Sequence, residues 1–329
     1  MAETKRLTMV EALNLALFEE MERDKNVLVL GEDVGVDGGV FRVTKGLVEK
    51  YGEERVVDTP LAEEGIMGAA VGLALYGKRP VCEIQFSGFI FEGYEQLESH
   101  ARRLRLRTHG ALECPMVLRA PCAGGIRALE HHNESAEMIY GHMPGLVVVM
   151  PSGPRNARGL LKAAIRSNDP VVFLEPKSVY RSIREDVPLH DDVYPLGKAA
   201  VLREGSQFTV VTYGAQVKLV KEVMKKGIEE QGWDPEIIDL QTIMPFDYET
   251  VVQSVQKTGR CLIVHEAPRS GGLGAEIVAR LIEFSFLYLE APIERVTGWD
   301  TPFPFYARED TYLPDAQRIT SAVHNILSY

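Results

Sequence analysis

The chain has 329 residues, of which 45% are hydrophobic and 25% are charged, a composition typical of an ordinary globular protein. Its length predicts two domains of roughly 150 to 190 residues each rather than a single core. The formal net charge of -11 argues against nucleic acid as a partner, because phosphate binding requires a net basic surface.

The cysteines and the apolar segments indicate a cytoplasmic protein. Four cysteines show neither C-x-x-C spacing nor a zinc pattern, which is typical of thiols in a reducing compartment. The opening residues, M-A-E-T-K-R, are not followed by the apolar core of a signal peptide. The longest apolar stretch, near residues 66–76, is too short and too rich in glycine to span a bilayer. We therefore expect no membrane association.

In the first half of the chain, helical patterns alternate with short buried strands. Helical periodicity covers residues 9–23, 64–75 and 155–166, and β-branched runs cover residues 27–30, 81–86, 116–120, 146–150 and 171–174. These runs are continuously hydrophobic rather than alternating, as expected of parallel strands covered on both faces. The pattern predicts a doubly wound α/β domain.

The densest basic run lies between two of these predicted strands and comprises Arg102, Arg103, Arg105 and Arg107. It follows several acidic residues, and Glu98 precedes Arg102 by four positions. Oppositely charged residues at that spacing lie on the same face of a helix. We therefore interpret the run as an exposed, salt-bridged helix rather than as an anion-binding site.

The alternation of strands and helices breaks near residues 181–197, where the sequence is polar, contains proline and lacks periodicity. We predict a linker at residues 186–200, between an N-terminal domain of residues 1–185 and a C-terminal domain of residues 201–329. In the second domain, strand-like runs at 208–213, 236–240, 261–265 and 293–297 alternate with helical segments. The sequence therefore predicts two doubly wound α/β domains.

The segment D-T-P-L-A-E-E-G-I, residues 58–66, places two adjacent carboxylates, Glu63 and Glu64, at the start of a helix rich in glycine and alanine. Enclosure among small residues would raise the proton affinity of such a carboxylate, since burial disfavours its charged form. A plainer interpretation is an acidic first turn stabilised by the helix dipole. The local sequence does not decide between these interpretations or between the two glutamates.

A set of motifs occurring in one order resembles a known family. The motifs are G-E-D-V-G (31–35), G-G-V-F (38–41), D-T-P-L-A-E-E-G-I (58–66), E-I-Q-F (83–86), Y-G-H-M-P-G-L (140–146), A-I-R-S-N-D-P-V-V-F-L-E-P-K (164–177), K-T-G-R (257–260) and H-E-A-P (265–268). Together they resemble the beta subunits of the thiamine-diphosphate-dependent, decarboxylating component of 2-oxo acid dehydrogenase complexes, over about residues 7–329. The resemblance implies a pyrimidine-binding domain followed by a transketolase C-terminal-like domain.

The resemblance also implies the roles of four residues. Glu63, rather than Glu64, matches the glutamate that hydrogen-bonds the pyrimidine nitrogen opposite the amino group and favours the imino tautomer of the cofactor. Gln85 and Phe89 match positions that hydrogen-bond and stack on the pyrimidine, although an aromatic residue at such a place is otherwise a core residue. His132 matches the histidine that faces the reacting carbon and the lipoyl group, although the chain has H-N-E where H-S-Q is commoner.

By the same resemblance, the cofactor lies between two different chains. The alpha subunit holds the diphosphate and the magnesium ion, and this chain accordingly lacks the G-D-G signature of the metal-diphosphate site. The segment A-I-R-S-N-D-P resembles a potassium-binding loop whose ligands would be the backbone carbonyls of Met116, Ala164, Ile165 and Asp169. A helix end stopped by N-D-P is an equally consistent interpretation.

The resemblance implies oxidative decarboxylation by an alpha2-beta2 heterotetramer, with acyl transfer to the lipoyl domain of a dihydrolipoyl acyltransferase. Motifs such as E-I-Q-F-S-G-F-I-F and T-G-W-D-T-P-F-P-F favour branched-chain 2-oxo acids as substrates, with pyruvate as the alternative. In the family, the subunit-binding module of the acyltransferase is basic and docks on the C-terminal domain. Acidic residues suited to that docking are Glu290, Glu294, Asp300, Glu309, Asp310 and Asp315.

Two other classes of function are disfavoured. An inactive assembly subunit is disfavoured because Glu63, Phe89 and His132 are retained. A nicotinamide dehydrogenase would suit the alternation of strands and helices, but its fingerprint is missing. The segment G-G-L-G-A-E is followed by Ile277, where the third glycine of G-x-G-x-x-G would fall.

Overall fold

The computed structural model describes residues 3–329, and its strands form two large sheets and one small one. In chain order the strands are β1 (Thr4–Leu7), β2 (Val27–Gly31), β3 (Val56–Asp58), β4 (Arg79–Glu83), β5 (Val117–Cys122), β6 (Val147–Val149), β7 (Val171–Pro176), β8 (Glu185–Pro188), β9 (Ala200–Arg203), β10 (Phe208–Thr212), β11 (Pro235–Asp239), β12 (Thr242–Met244), β13 (Cys261–Pro268) and β14 (Glu294–Gly298).

Several helices begin or end at residues suited to those positions. In chain order the helices are α1 (Met9–Arg23), α2 (Leu47–Tyr51), α3 (Glu63–Leu75), α4 (Leu104–Arg107), α5 (Glu137–Gly141), α6 (Pro154–Arg166), α7 (Gln216–Gln231), α8 (Tyr248–Thr258), α9 (Leu273–Ser285), α10 (Glu309–Tyr312) and α11 (Ala316–Leu327). Helix α1 starts with a capping box, in which the Thr8 side chain accepts from the Glu11 amide and the Glu11 carboxylate accepts from the Thr8 amide. Helices α7 and α8 end at left-handed glycines, Gly232 and Gly259.

The first large sheet has the strand order β12-β6-β7-β5-β4-β2-β3 and is parallel except for β12. Successive side chains point to opposite faces, so Val27 and Val29 pack with α1 and α6, whereas Leu28 and Leu30 pack with α3. Burial of each such side chain contributes about 1.5 to 3 kcal/mol. Helices on both faces make this a doubly wound domain.

The second large sheet has the strand order β14-β13-β10-β11-β9 and is parallel except for the edge strand β9. One face carries Phe208 and Val210 and packs with α7 and α11. The other face, which carries Val211 and Ile263, belongs to the same apolar core as Leu28 and the α3 face of the first sheet. The two domains are therefore joined by a continuous hydrophobic core.

The predicted fold class is confirmed, with local differences. Strand β12 comes from the second half of the chain but completes the first sheet, which the sequence did not indicate. The predicted strand at 81–86 ends at Glu83, because a 3-10 turn at Ser87–Gly93 follows closely. Strand β8 lies partly in the predicted linker and pairs with β1; the domain boundaries themselves stay a prediction. In residues 3–329, every helix is too short or too polar to cross a bilayer.

Candidate active site

The parallel strands of the first sheet bring several polar segments to one edge. Strands β7, β5, β4, β2 and β3 are neighbours in that order, and their carboxyl ends lie on the same side. The chain leaves this edge into Glu32, into the turn Ser87–Gly93, into the segment 123–136 and into Lys177. Ligand sites of open α/β sheets form at this edge, so the predicted residues have been brought to one place.

Glu63 is the first residue of α3, and its side chain is buried, with 9% of its surface exposed. Glu64 is exposed, so the structure selects Glu63 as the enclosed carboxylate. Buried Glu32 is a close neighbour: burial, followed by the charges of Glu63 and Asp33, raises the pKa of Glu32. Within residues 3–329, neither Glu32 nor Glu63 forms an ion pair with a basic side chain. Two carboxyl groups are thus buried close to each other, and neither is paired with a basic side chain of the described residues.

Gln85 and Phe89 lie on the segment that follows β4. The Gln85 side-chain amide donates to Asp33 Oδ2 at 3.1 Å, which ties this segment to the one that follows β2. The Phe89 ring meets the Phe86 ring edge-on, with centroids 5.9 Å apart. The turn approaches α3 closely, since a Cβ added to Gly93 would lie 3.0 Å from the Glu63 carbonyl oxygen. Glu63 therefore lies next to the turn that carries Phe89, at the same edge of the sheet as Gln85.

His132 joins these residues through ring contacts. Its ring centroid lies 4.4 Å from that of Phe86 and 5.3 Å from that of Phe89. The turn and the histidine segment touch at Gly88, where an added Cβ would lie 2.2 Å from the His131 carbonyl oxygen, so only glycine fits. His131 itself is exposed, whereas His132 is half-buried. The structure thus brings together all four residues predicted for the cofactor and the reaction.

Lys177, directly after β7, was not singled out as a site residue from the sequence. Its ammonium group is buried and donates to the carbonyl oxygens of His132, at 2.7 Å, and of Ala123. Burial lowers the pKa of Lys177 to about 8, against the opposing influence of Cys122, Glu266 and Glu309. The signal was present, because Lys177 ends the long family motif A-I-R-S-N-D-P-V-V-F-L-E-P-K.

A buried ion cluster lies within the sheet beside this site. Arg119 on β5 is bidentate to Glu175 on β7, at 2.7 and 2.9 Å, and also donates to Glu83 on β4 at 2.6 Å. The Tyr180 hydroxyl donates to Glu175 at 2.5 Å. The strands β4, β5 and β7 are adjacent, so this cluster, which we call the Arg119 cluster, ties three neighbouring strands together.

The potassium site suggested by the family resemblance stays a prediction. The protein already donates hydrogen bonds to all four carbonyl oxygens: Ser167 N to Ala164 (3.1 Å), Arg79 Nη1 to Ile165 (3.0 Å), Ser167 Oγ to Asp169 (3.1 Å) and Val171 N to Met116 (3.0 Å). The guanidinium of Arg79 brings a permanent positive charge to the Ile165 carbonyl. An ion there would share its ligands with these donors.

The arginine run is salt-bridged, as predicted, but it is not one regular helix. Glu98 pairs with both Arg102 and Arg103, and Arg105 pairs with Asp169 at 2.7 Å. The backbone passes through a π-helical segment at Gln96–His100 and a 3-10 turn before the short helix α4. All four cysteines are buried and free.

The proposed acidic docking surface needs correction at Glu309. This residue is 1% exposed, and its carboxylate accepts the amides of Gly125, at 2.8 Å, and Arg127, at 3.3 Å. Other members of the set have partners within the chain, including Glu290 with Arg260 and Asp310 with Arg127. The sequence near the C-terminus shows that Glu309 is acidic, but it does not indicate that this side chain contacts the first domain.

A cavity of about 700 Å³ lies at another contact between the domains but contains none of the predicted site residues. It reaches the start of α6, where free backbone amides normally favour an anion. Here the Glu185 carboxylate already accepts the Arg155 amide at 3.0 Å and approaches Gly153. The chain thus fills this position with its own carboxylate, and the site around Glu63 is the better candidate.

Comparisons with known proteins identify the family of the chain. Two family profiles match, the transketolase pyrimidine binding domain over residues 5–182 and the transketolase C-terminal domain over residues 197–319. The pyruvate dehydrogenase E1 component subunit beta of Acholeplasma laidlawii is 48% identical over 320 residues, which cover 97% of this chain and 98% of the relative. The subunit of the same name from Staphylococcus aureus (strain Mu50) is 48% identical over 326 residues, 98% of this chain and 99% of the relative.

A solved structure described as split gene transketolase, inactive beta4 tetramer, has a TM-score of 0.79 to this chain at 24% sequence identity. It covers 98% of this chain and 99% of its own. At that identity the likeness shows a shared fold. Both large sheets therefore have counterparts in one known chain.

Proposed function

Because the chain belongs to the family of beta subunits of thiamine-diphosphate-dependent 2-oxo acid dehydrogenases, we propose that it is the beta subunit of a pyruvate dehydrogenase. The observation that carries this proposal is the 48% identity to two subunits of that name, extending over 97% and 98% of this chain. The branched-chain preference expected from individual motifs gains no support from these relatives, and the alternative, pyruvate, fits better.

The residues at the site fit one half of thiamine diphosphate. A buried carboxylate, a side-chain amide and an aromatic ring, from Glu63, Gln85 and Phe89, suit a flat heterocycle such as the aminopyrimidine. Among the described residues 3–329, no group of three or more His, Cys, Asp or Glu side chains could hold a metal ion. The magnesium and diphosphate ligands would therefore come from the alpha subunit.

Each of these side chains has a physical task in that arrangement. Glu63 would hold a proton at the pyrimidine nitrogen opposite the amino group, a task suited to a carboxylate enclosed beside Glu32. Gln85 would donate from its amide, and Phe89 would flank the ring. When bound, the cofactor supplies the nucleophilic carbon that adds to the 2-oxo group.

His132 would give or take a proton while the acyl group passes to a lipoyl arm. The His132 side chain is half-buried beside Phe86 and Phe89. Histidine suits this role because its side chain can both donate and accept a proton near neutral pH. The Lys177 ammonium fixes the His132 backbone through the carbonyl oxygen. The imidazole is thus presented from a fixed main chain.

The functional assembly would be an alpha2-beta2 heterotetramer that works with a dihydrolipoyl acyltransferase. The alpha subunit would complete the cofactor site, and the lipoyl domain would reach His132. The subunit-binding module of the acyltransferase would dock on the C-terminal domain. After the correction at Glu309, the exposed acids that remain available for this docking are Glu290, Asp300, Asp310 and Asp315, and Glu294 is half-buried.

The test is activity of the chain reconstituted with its alpha subunit. We expect turnover of pyruvate to exceed that of branched-chain 2-oxo acids, with reduction of an artificial electron acceptor as the measurement. The chain alone should show no turnover and should bind thiamine diphosphate with magnesium only weakly in calorimetric titration. A preference for branched-chain acids would overturn the choice of substrate, and tight cofactor binding by the lone chain would overturn the half-site.

A further inference from the structure

The segment 123–135 carries His132 from the end of β5 to the start of α5, and a carboxylate of the other domain closes it. Glu266 lies on β13 in the second sheet and is 7% exposed. Its Oε1 accepts the Gly124 amide at 2.6 Å and the Ser135 hydroxyl at 3.2 Å. These two donors lie at opposite ends of the segment. One oxygen atom therefore fixes both ends.

The backbone of this segment needs such support. Ala123 and Arg127 have φ angles of 65° and 56°, in the left-handed region that is costly for residues with a side chain. Conformations of this kind persist only where surrounding contacts hold them. The second domain supplies a further contact through Glu309, which accepts the amides of Gly125 and Arg127. Both carboxylates hold main-chain groups, so they fix the path of the backbone.

The fit around Glu266 is close. A Cβ added to Gly124 would lie 2.6 Å from the Phe303 ring and 3.4 Å from Glu266 Oε1. Gln216 approaches the second carboxylate oxygen at 3.5 Å. A charged acceptor holds a backbone amide more strongly than a neutral one does, and low solvent exposure increases the effect. Replacing Glu266 by a side chain that lacks an acceptor would therefore remove the hydrogen bonds to Gly124 and to Ser135 together.

We propose that Glu266 is a positioning residue that holds His132 in place from the second domain, by closing the segment 123–135 at Gly124 and Ser135. The inference rests on the proposed function in so far as His132 acts in acyl transfer. Glu266 contacts the segment at Gly124 and Ser135, on either side of His132. Its effect passes through the main chain of the segment.

The experiment compares variants in the reconstituted alpha-beta assembly. Glu266→Leu removes the acceptor, and Glu266→Gln keeps one oxygen that can accept from Gly124 and Ser135. Asp239→Asn is the matched control, because Asp239 is also a buried carboxylate that reaches the first domain, through Ser152 and Asn156, without touching the histidine segment. His132→Ala gives the size of a complete loss. Ser135→Ala removes one of the two contacts and serves if Glu266→Leu does not fold.

Two measurements decide the matter. Hydrogen exchange of the segment 124–135 should accelerate about tenfold or more in Glu266→Leu, because the Gly124 amide and the Ser135 hydroxyl lose the acceptor that closes the segment. It should stay near wild type in the Asp239→Asn control. Acyl transfer to a lipoyl domain should fall at least about tenfold, while reduction of an artificial acceptor falls less. Glu266→Gln should recover most of both, and Ser135→Ala should change both slightly in the same direction.

The outcomes separate this inference from the proposed function. Unchanged exchange and unchanged acyl transfer in Glu266→Leu would overturn the positioning role, and so would a Glu266→Gln variant as damaged as the leucine variant. Equal losses in the Asp239→Asn control would also overturn it, since they would indicate a general effect of the domain contact. A wild-type assembly inactive on every 2-oxo acid would instead sink the proposed function, while the exchange data would still test whether Glu266 closes the segment.

Discussion

The first sheet carries two pairs of buried carboxylates, one with a basic partner and one without such a partner among the described residues. In the Arg119 cluster, Glu83 and Glu175 share a guanidinium that satisfies both. At the candidate site, Glu32 and Glu63 lie together without a basic partner anywhere in residues 3–329. The first pair is balanced inside the chain and serves the structure. The second pair has no basic partner in the described residues, so its carboxyl groups remain available to a bound molecule.

Removing the guanidinium that Glu83 and Glu175 share should give the largest change in the free energy of unfolding. Arg119→Met leaves Glu83 and Glu175 buried without a partner and should lower the free energy of unfolding by about 3 to 5 kcal/mol. Denaturant unfolding of the chain measures this. Adding Glu83→Gln and Glu175→Gln to Arg119→Met should restore much of the loss, because no buried charge then remains. A single variant as stable as the wild type would contradict the structural role of the cluster.

At the candidate site, the same kind of change should affect rate rather than stability. Glu63→Gln removes a carboxylate that has no cation to lose, so the free energy of unfolding should change by less than about 1 kcal/mol. Turnover by the alpha-beta assembly should nevertheless fall roughly a hundredfold or more, the scale of a positioned acid-base group. The exposed neighbour provides the control, since Glu64→Gln should retain wild-type turnover. Wild-type turnover in Glu63→Gln would place the proton transfer elsewhere.

Asp239 is a third kind of buried carboxylate, and its contribution to stability should depend on pH. It is buried and hydrogen-bonded only to neutral groups, from Ser152, Asn156 and Gln241, and burial raises its pKa to about 7 from 3.8. The folded state therefore binds the proton more tightly than the unfolded state, and the resulting stability, fully present below about pH 4, is lost as the pH rises through 7.

The Asp239→Asn variant should lack this loss. Relative to wild type, its free energy of unfolding should increase by about 1 to 2 kcal/mol between pH 5 and pH 7. Denaturant midpoints at several pH values measure the difference. A constant difference across that range would show that Asp239 keeps an ordinary carboxylate pKa.

Disrupting an exposed ion pair should give the smallest change in the free energy of unfolding. Comparison with Arg119→Met then shows how much of the first effect is due to burial. Lys225 and Glu229 are one helical turn apart on α7, exposed, and 3.9 Å apart. Lys225→Ala should change the free energy of unfolding by no more than about 0.5 kcal/mol, because water screens both charges. The same denaturation assay applies. A loss as large as that of Arg119→Met would mean that charge pairing, and not burial, explains the first prediction.

Local sequence was sufficient where neighbouring residues decide the structure. Helix α1 occupies the predicted residues because Thr8 and Glu11 form a capping box and its apolar residues recur at helical spacing. The continuous apolar runs predicted parallel, covered strands, since both faces of such strands must be buried. Family motifs then named Glu63, Gln85, Phe89 and His132, which the structure places at one edge of the first sheet.

The sequence by itself therefore determined the fold class, most of the elements and the family, because periodicity, capping and motif order are properties of neighbouring residues. Only the tertiary structure decided which of two adjacent glutamates is enclosed, why Glu309 is buried rather than exposed, and that Glu266 meets Gly124 and Ser135 from the second domain. Those contacts join residues more than a hundred positions apart. Burial and charge balance at such contacts depend on how the two sheets pack against each other. The spacing of residues along the chain does not predict that packing.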